Sequence, residues 1–354
     1  MVMDVARPDL SISIVSLNRP DLVRQCLASI GRFTRGVGYQ VHLVAHNYDA
    51  AALGEIVRSH PALIVHPVSG VRGFSENNNV ALRGARGRCV AILNDDTILS
   101  SDVFAELVRF LDAHPDVAAA CPVLRHPDGS LQVGVRGRLT PWSLVAQQLK
   151  LDRLVPAAWA LRLGAMDRPW LPREAGEGEA IDVEAGSGAC FVVRRDALEK
   201  IGFLDEAFFL GPDDVDWTRR LLRHAGRVVL LPAVSVTHLG GATLGPRYRA
   251  VLPTVYAGYY TFLRRYHGPV AEWGVRLGLG LVWSGLLAAA WSMVWLVSQR
   301  RHARTMMEAR WECVRFALSR LPSPRVFARL TLGGGLLAGP GPPQRADDGN
   351  VLSG

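Results

Sequence analysis

The chain has 354 residues, 49% of them hydrophobic and 20% charged, which is apolar enough to bury one large core or two modest ones and excludes a disordered chain. A formal charge of +8, drawn mostly from arginine, favours phosphate-bearing partners: nucleotides, nucleic acid or anionic lipid headgroups. Five widely spaced cysteines, Cys26, Cys89, Cys121, Cys190 and Cys313, indicate neither a disulfide framework nor a zinc knuckle and fit a reducing compartment.

The N-terminal MVMDVARPDLSISIVSL lacks the basic region and long apolar run of a secretory signal, which predicts a cytosolic catalytic part. Short β-branched runs follow at 11–17, 41–45, 62–66 and 89–93, separated by stretches of helical period such as PDLVRQCLASIGRF. The spacing predicts a helix over 20–32, with Asn18 as its cap and Pro20 in its first turn. Alternating strands and helices predict an α/β fold with a mostly parallel central sheet and helices on both faces. Ligands of such sheets bind beyond the carboxyl ends of the strands, where Asn18, Asn47, Asp49 and the cluster at 94–96 would fall.

A further amphipathic helix is predicted over 101–114, and a second strand-and-helix block over 189–231. Between them, residues 136–180 are rich in Arg, Pro and Trp and read as an inserted, mobile region. The run 277–297 is uncharged and carries three tryptophans, and its 21 residues just suffice to cross a hydrocarbon core of roughly 30 Å. Arg264, Arg265 and Arg276 flank it on one side and Arg300, Arg301 and Arg304 on the other, so the charges give no clean orientation. A helix lying in the membrane interface, or dipping in and out, satisfies those charges better than a simple crossing; a buried core helix is the other reading. The Gly/Pro-rich tail, 331–354, reads as disordered, and no internal repeat is found.

Two acidic clusters carry the chemistry. AILNDDT sets Asn94, Asp95 and Asp96 behind an apolar strand, where one or two carboxylates could hold a hard divalent cation against a diphosphate; a turn or a cap for the helix after it is the alternative. FFLGPDDVDWTRRLL sets Asp213, Asp214 and Asp216 at the mouth of a helix. The helix dipole explains one or two acids there, but mutual repulsion must raise at least one pKa, which suits a general base. His238, in VSVTHLGGAT, ends a strand before Gly240 and Gly241 and reads either as a third metal ligand or as a structural histidine.

Taken in order, SIVSLNRPDLVRQCLASI, GVRGFSENNNVAL, AILNDDT and the block GSGACFVVRRDALEKIGFLDEAFFLGPDDVDWTRRLLRHAGRVVLLPAVSVTHLGGAT resemble the family 2 inverting glycosyltransferases of GT-A fold, and among them a bacterial rhamnosyltransferase-like branch. The resemblance implies a transferase domain over 1–267, with a donor half about 10–100 and an acceptor and base half about 101–245, followed by a membrane-associated region over 268–330. It implies Asp96 as a ligand of Mg²⁺ or Mn²⁺ with His238 completing the site, and Asp214 as the base with Asp213 its neighbour. Ser16, Asn18, Arg19, Asn47, Arg72, Gly73, Phe74, Asn78, Asn79, Asn94 and Asp95 would line the nucleotide-sugar donor; for GFSENNN a loop capping the next helix is the alternative. Where such enzymes carry an Asp that reads the nucleobase this chain has Ala45, which leaves His46, Asn47 or Asp49 to substitute, and Pro212 also departs from the pattern.

The activity the resemblance implies is metal-dependent, inverting sugar transfer, with rhamnose from dTDP-rhamnose as the expected donor, to a saccharide or polyprenyl-linked glycan in cell-envelope polysaccharide synthesis at the cytoplasmic face of a bacterial inner membrane. Use of a UDP-sugar, or a catalytically impaired scaffold that only binds, are the alternatives. A nucleic-acid partner is not expected, because no recognised motif appears and aromatics are not interleaved with the arginines.

Overall fold

A computed structural model describes residues 7–154, 156, 159, 179–240 and 248–318; the predicted tail, about half of the proposed insertion and Gly241 lie outside them. The chain divides into two compact units, one formed by 1–69, 74–205 and 213–239, the other by 70–73, 206–212 and 240–354.

In the first unit, β1 (Leu10–Leu17), β2 (Tyr39–His46), β3 (Ile64–Val68) and β4 (Cys89–Asn94) alternate with helices α1 (Pro20–Phe33), α2 (Ala50–Ser59) and α3 (Phe74–Gly84). The sheet continues with β5 (Thr97–Leu99), β6 (Val117–Arg125), β10 (Cys190–Arg194) and β11 (Arg227–His238), in the order β3-β2-β1-β4-β10-β6-β11-β5, with β8 (Ile181–Asp182) against β11. Strands β7 (Val135–Arg136) and β9 (Ala185–Gly186) form a small antiparallel pair. The helices α4 (Val103–Ala113), α5 (Pro141–Gln148), α6 (Arg195–Ile201) and α7 (Asp213–His224) complete the unit.

Strands β1 to β4 are parallel to one another, whereas β10 runs antiparallel to both its neighbours. The two-residue period of a strand explains the double core. On β4, Cys89, Ala91 and Leu93 join the layer of α1 and α4, while Val90 and Ile92 join the layer holding Phe191, Trp217 and Leu221. Trp217 is fully buried, edge-on to Phe191 with centroids 5.9 Å apart, and its indole N–H donates to the Gly202 carbonyl at 3.2 Å.

Several local expectations change. Asn18 does not cap α1: the cap position is Arg19, without a side-chain bond, and Asn18 instead takes a left-handed conformation (φ 53) at the end of β1. Asn47 does the same (φ 55) after β2; asparagine tolerates this region better than most residues. The Asn94–Asp96 stretch caps no helix, because β5 intervenes and α4 is capped by Asp102, which accepts from the Ala105 amide. Phe74–Asn79 is not a loop but the first part of α3.

The second unit holds α8 (Tyr248–Val275), broken at Gly268 (φ 84), then a π-helical stretch Arg276–Trp283, α9 (Ser284–Ser298) and α10 (Arg301–Leu318). Gln299, left-handed at φ 53, ends α9, and α10 packs back along it and along α8. Ala250–Ser298 is the one helical segment among the described residues long and apolar enough to cross a membrane. Arg276 is not a free flanking charge: it is buried, donates to the carbonyls of Phe316 and Ala317 at 3.1 and 3.0 Å, and pairs with Glu272 at 3.2 Å. It thereby satisfies carbonyls left open at the C-terminus of α10.

Candidate active site

The chain reverses its direction of sheet growth at β1, which has β2 on one side and β4 on the other, so the carboxyl ends of these strands open a crevice. The register sets Ser16 opposite Ala45 and Val15 opposite Asn94. Ser16 is fully buried and its hydroxyl lies 2.7 Å from the Tyr48 hydroxyl. The Asp95 carboxyl has an Oδ2 without a partner; burial is the main force pushing Asp95 up to about 7, Ser16 opposes it, and the charge of Asp96 adds to it. Arg19 donates to Asp21 at 2.9 Å and lies within the field of Asp95 and Asp96.

Asn94, Asp96 and His238 come together from the ends of β4 and β11. His238 Nε2 is 3.1 Å from Asp96 Oδ1 and 3.2 Å from Asn94 Nδ2, and the Leu239 amide donates to the Asp96 carbonyl at 2.9 Å. The other ring nitrogen, Nδ1, is 2.5 Å from Gln132 Oε1. Among the described residues no three His, Cys, Asp or Glu side chains gather as a metal cage. Two protein ligands do fit a hard cation that takes its other oxygens from a diphosphate and water. The donor set favours this too: with Nδ1 donating to Gln132, Nε2 is an acceptor that meets the Asn94 side-chain amide at 3.2 Å and a carboxylate oxygen at 3.1 Å, and a cation beside Asp96 removes the repulsion between the two acceptors.

The second acidic cluster sits at the same edge of the sheet. The Asn94 amide donates to the Ala189 carbonyl at 3.0 Å, and the neighbouring Gly188 amide donates to Asp214 Oδ2 at 3.1 Å. Asp214 also accepts from Arg136 at 2.9 Å and from the Val215 amide at 2.8 Å. Asp213 accepts only on Oδ1, from the Asp214 amide at 2.9 Å, while its Oδ2 is buried without a partner. Burial first, and the Asp214 charge second, push Asp213 up to about 8. Asp216 is fully buried in an ion pair with Arg220 at 2.8 Å, and Arg220 also donates to the Ile201 carbonyl, which gives this third acid a structural task.

The remaining expected donor contacts divide. Asn78 and Asn79 are buried and engaged inside the fold: Asn78 accepts from Ser13 at 2.9 Å, and Asn79 clamps Leu204 through both its carbonyl and its amide at 2.8 and 3.1 Å. Their burial and bonding give both asparagines a task within the fold. Phe74 lies against Gly188, where an added methyl would come within 3.2 Å of the ring. Arg72 and Gly73 belong to the second unit, and Gly73 is required there by the Phe209 backbone, 2.6 Å from where a Cβ would sit. Of the substitutes for Ala45, His46 is fully buried and bonded to Asn77 at 3.0 Å, and Asp49 caps α2 through the Ala52 amide. Sequence reasoning missed Arg136 and Gln132, which lie in no motif, and Tyr48, whose aromatic signal alone gave no role.

The family model described as "Glycosyltransferase like family 2" matches residues 8–252. Among curated proteins the chain is similar to the O-antigen biosynthesis protein RfbC of Myxococcus xanthus, 24% identical over 268 residues that cover 75% of this chain and 20% of that protein. It is also similar to the N-acetylglucosaminyl-diphospho-decaprenol L-rhamnosyltransferase of Mycobacterium tuberculosis, 25% identical over 197 residues, covering 50% of this chain and 55% of that one. The aligned part thus spans only 20% and 55% of the lengths of these relatives. GalNAc-T7, solved with UDP, GalNAc and Mn²⁺, shares the GT-A fold at a TM-score of 0.51 and 15% identity, over 75% of this chain and 52% of its own.

Proposed function

The chain belongs to glycosyltransferase-like family 2, and from that premise we propose that it moves a sugar from a nucleoside-diphosphate sugar to a saccharide or polyprenyl-linked glycan with inversion at the anomeric carbon. The observation that carries this reading is the convergence of two acidic clusters on one sheet edge, linked through the Asn94, Ala189, Gly188 and Asp214 contacts. One cluster suits a charged leaving group and the other an attacking hydroxyl.

In this reading Asp214 takes the proton of the acceptor hydroxyl while Arg136 and the Gly188 amide fix its orientation. Asp213, pushed up to about 8, carries a proton near neutrality, so the pair holds one negative charge and not two. Ser16, bonded to Tyr48 at 2.7 Å, and Asp95 would line the donor phosphates. Asp96 and His238, with Asn94 beside them, would hold Mg²⁺ or Mn²⁺, which when bound would neutralise charge developing on the departing diphosphate. The Mn²⁺ in the GalNAc-T7 structure supports a divalent cation in this fold.

Rhamnose from dTDP-rhamnose, and a lipid-linked acceptor, are the donor and acceptor we assign, supported by the branch resemblance and by the name of the mycobacterial relative. The second unit supports a place at a membrane surface. Helix α9 is apolar on every side and leaves Leu286, Met293, Leu296 and Val297 exposed. Beside it α10 carries Arg301, Arg304, Glu308, Glu312 and Arg315 along its length. Drawing the pair through a bilayer would bring those charges to hydrocarbon depth, at roughly 2.5–3.5 kcal/mol for each arginine, so the hairpin lies in the interface with its arginines toward anionic headgroups. We place it at the cytoplasmic face of the inner membrane.

The test is a panel of nucleotide-sugars, dTDP-rhamnose and UDP-sugars included, titrated by calorimetry with Mn²⁺ and assayed for transfer and hydrolysis. Binding and turnover of one member is expected. Binding without turnover would leave a scaffold, and neither would refute the reading.

A further inference from the structure

We propose that Gln132 is a positioning residue of the cation site: by accepting from His238 Nδ1 it aims the Nε2 lone pair at the place beside Asp96 where the cation would sit. The inference rests on the functional reading above but adds a residue that contributes no ligand.

The orientation of Gln132 is determined on both sides of its amide. Its Nε2 lies 3.4 Å from the His238 carbonyl, which can only accept, and 3.1 Å from His126 Nδ1, and the carbonyl sets a nitrogen at that position. Its Oε1 is then the atom 2.5 Å from His238 Nδ1, which must carry the hydrogen of that bond. An imidazole that donates through Nδ1 presents Nε2 as its ligating atom, and Nε2 is the nitrogen 3.1 Å from Asp96. The same bond fixes the rotation of the ring, because the imidazole cannot turn about χ2 without losing it.

Gln132 is itself held rigidly. The segment HPDGS after β6 closes a tight turn: the Gly129 amide donates to the His126 carbonyl at 2.9 Å with Gly129 at φ 83. Asp128 accepts from the Ser130 amide at 2.9 Å, and Arg125 donates to the Gly129 carbonyl at 2.9 Å. Beyond the turn, Arg125 bridges Leu131 and the Gln132 amide donates to the Leu124 carbonyl at 2.9 Å. The turn thus extends β6 as a short ribbon that delivers the Gln132 side chain to a histidine 106 residues further along the chain. Partners of this kind, bonded to the far nitrogen of a ligating histidine, contribute about 10–100-fold to metal affinity.

The experiment uses the full chain and reads Mn²⁺ binding, by loss of the free-ion electron paramagnetic resonance signal, with Mn²⁺ alone and with dTDP or UDP present. Gln132→Leu, which keeps the bulk and removes the acceptor, is expected to weaken Mn²⁺ binding by about 10–100-fold. Gln132→Glu keeps an acceptor toward Nδ1 and is expected to retain binding, which separates positioning from a folding defect. In a His238→Ala background, Gln132→Leu should have no further effect. Equal Mn²⁺ affinity of Gln132→Leu and the unsubstituted protein would overturn the proposal alone, as would an additive loss in the His238→Ala background. Failure of the unsubstituted protein to bind Mn²⁺ under all three conditions would overturn the cation reading and this proposal with it.

Discussion

Asp213→Asn should stabilise the protein, and by an amount that grows with pH. The carboxyl is shifted from 3.8 to about 8 because folding buries it beside Asp214, so the folded chain holds its proton where an unfolded chain releases it. The sign follows: the contribution of the protonated form is complete below 3.8 and is lost as pH rises through about 8. Each pH unit in that window is worth about 1.4 kcal/mol, which sets a ceiling of about 5–6 kcal/mol across it and about 4 kcal/mol at pH 7. Asparagine cannot ionise, and its side-chain oxygen still accepts from the residue-214 amide as Asp213 Oδ1 does now at 2.9 Å. Urea unfolding followed by tryptophan fluorescence, at intervals from about pH 5 to about pH 9, should show the substituted and unsubstituted proteins diverging as pH rises. Asp214→Asn removes the second cause of the shift and should flatten part of the same slope. Parallel stability curves for Asp213→Asn and the unsubstituted protein would refute the reasoning, since a buried carboxyl with an unpartnered oxygen could not then be resisting ionisation.

Asp96→Ala should abolish metal-dependent donor binding in calorimetry, whereas Asp214→Asn should keep donor affinity within a few fold and lose transfer by at least about 10²-fold. The reverse pattern would exchange the two roles. Arg136→Met, which removes the charge held 2.9 Å from Asp214, should lower kcat with little change in KM for the donor, as steady-state kinetics would show. Trp217→Ala should destabilise the first unit by about 3–5 kcal/mol in urea unfolding, because the ring is fully buried and its N–H is bonded to Gly202. Replacing the exposed Leu286 and Val297 of α9 by Glu should cut binding to anionic vesicles at least about tenfold in co-sedimentation.

Much of this protein is written locally. The two-residue period of β1 and β4, the helical period of α1 and the charges of the 94–96 and 213–216 stretches depend on neighbours in the chain, and the sequence by itself determined the parallel half-sheet and both acidic clusters. Other features were decided only when distant segments met. β10 enters antiparallel between β4 and β6 because pairing direction depends on the connection and the partner edges, which the apolar run Cys190–Arg194 does not encode. Asn78 and Asn79 are adjacent amides in sequence, and only the assembled fold assigns them different partners, Ser13 for the first and Leu204, 125 residues away, for the second. Arg276, a flanking charge by position, is drawn inward by the open carbonyls of α10. Which of two adjacent carboxyls would resist ionisation was equally beyond the sequence: Asp214 obtained Arg136 and the Gly188 amide, Asp213 obtained neither, and desolvation without a compensating partner is a property of the assembled fold.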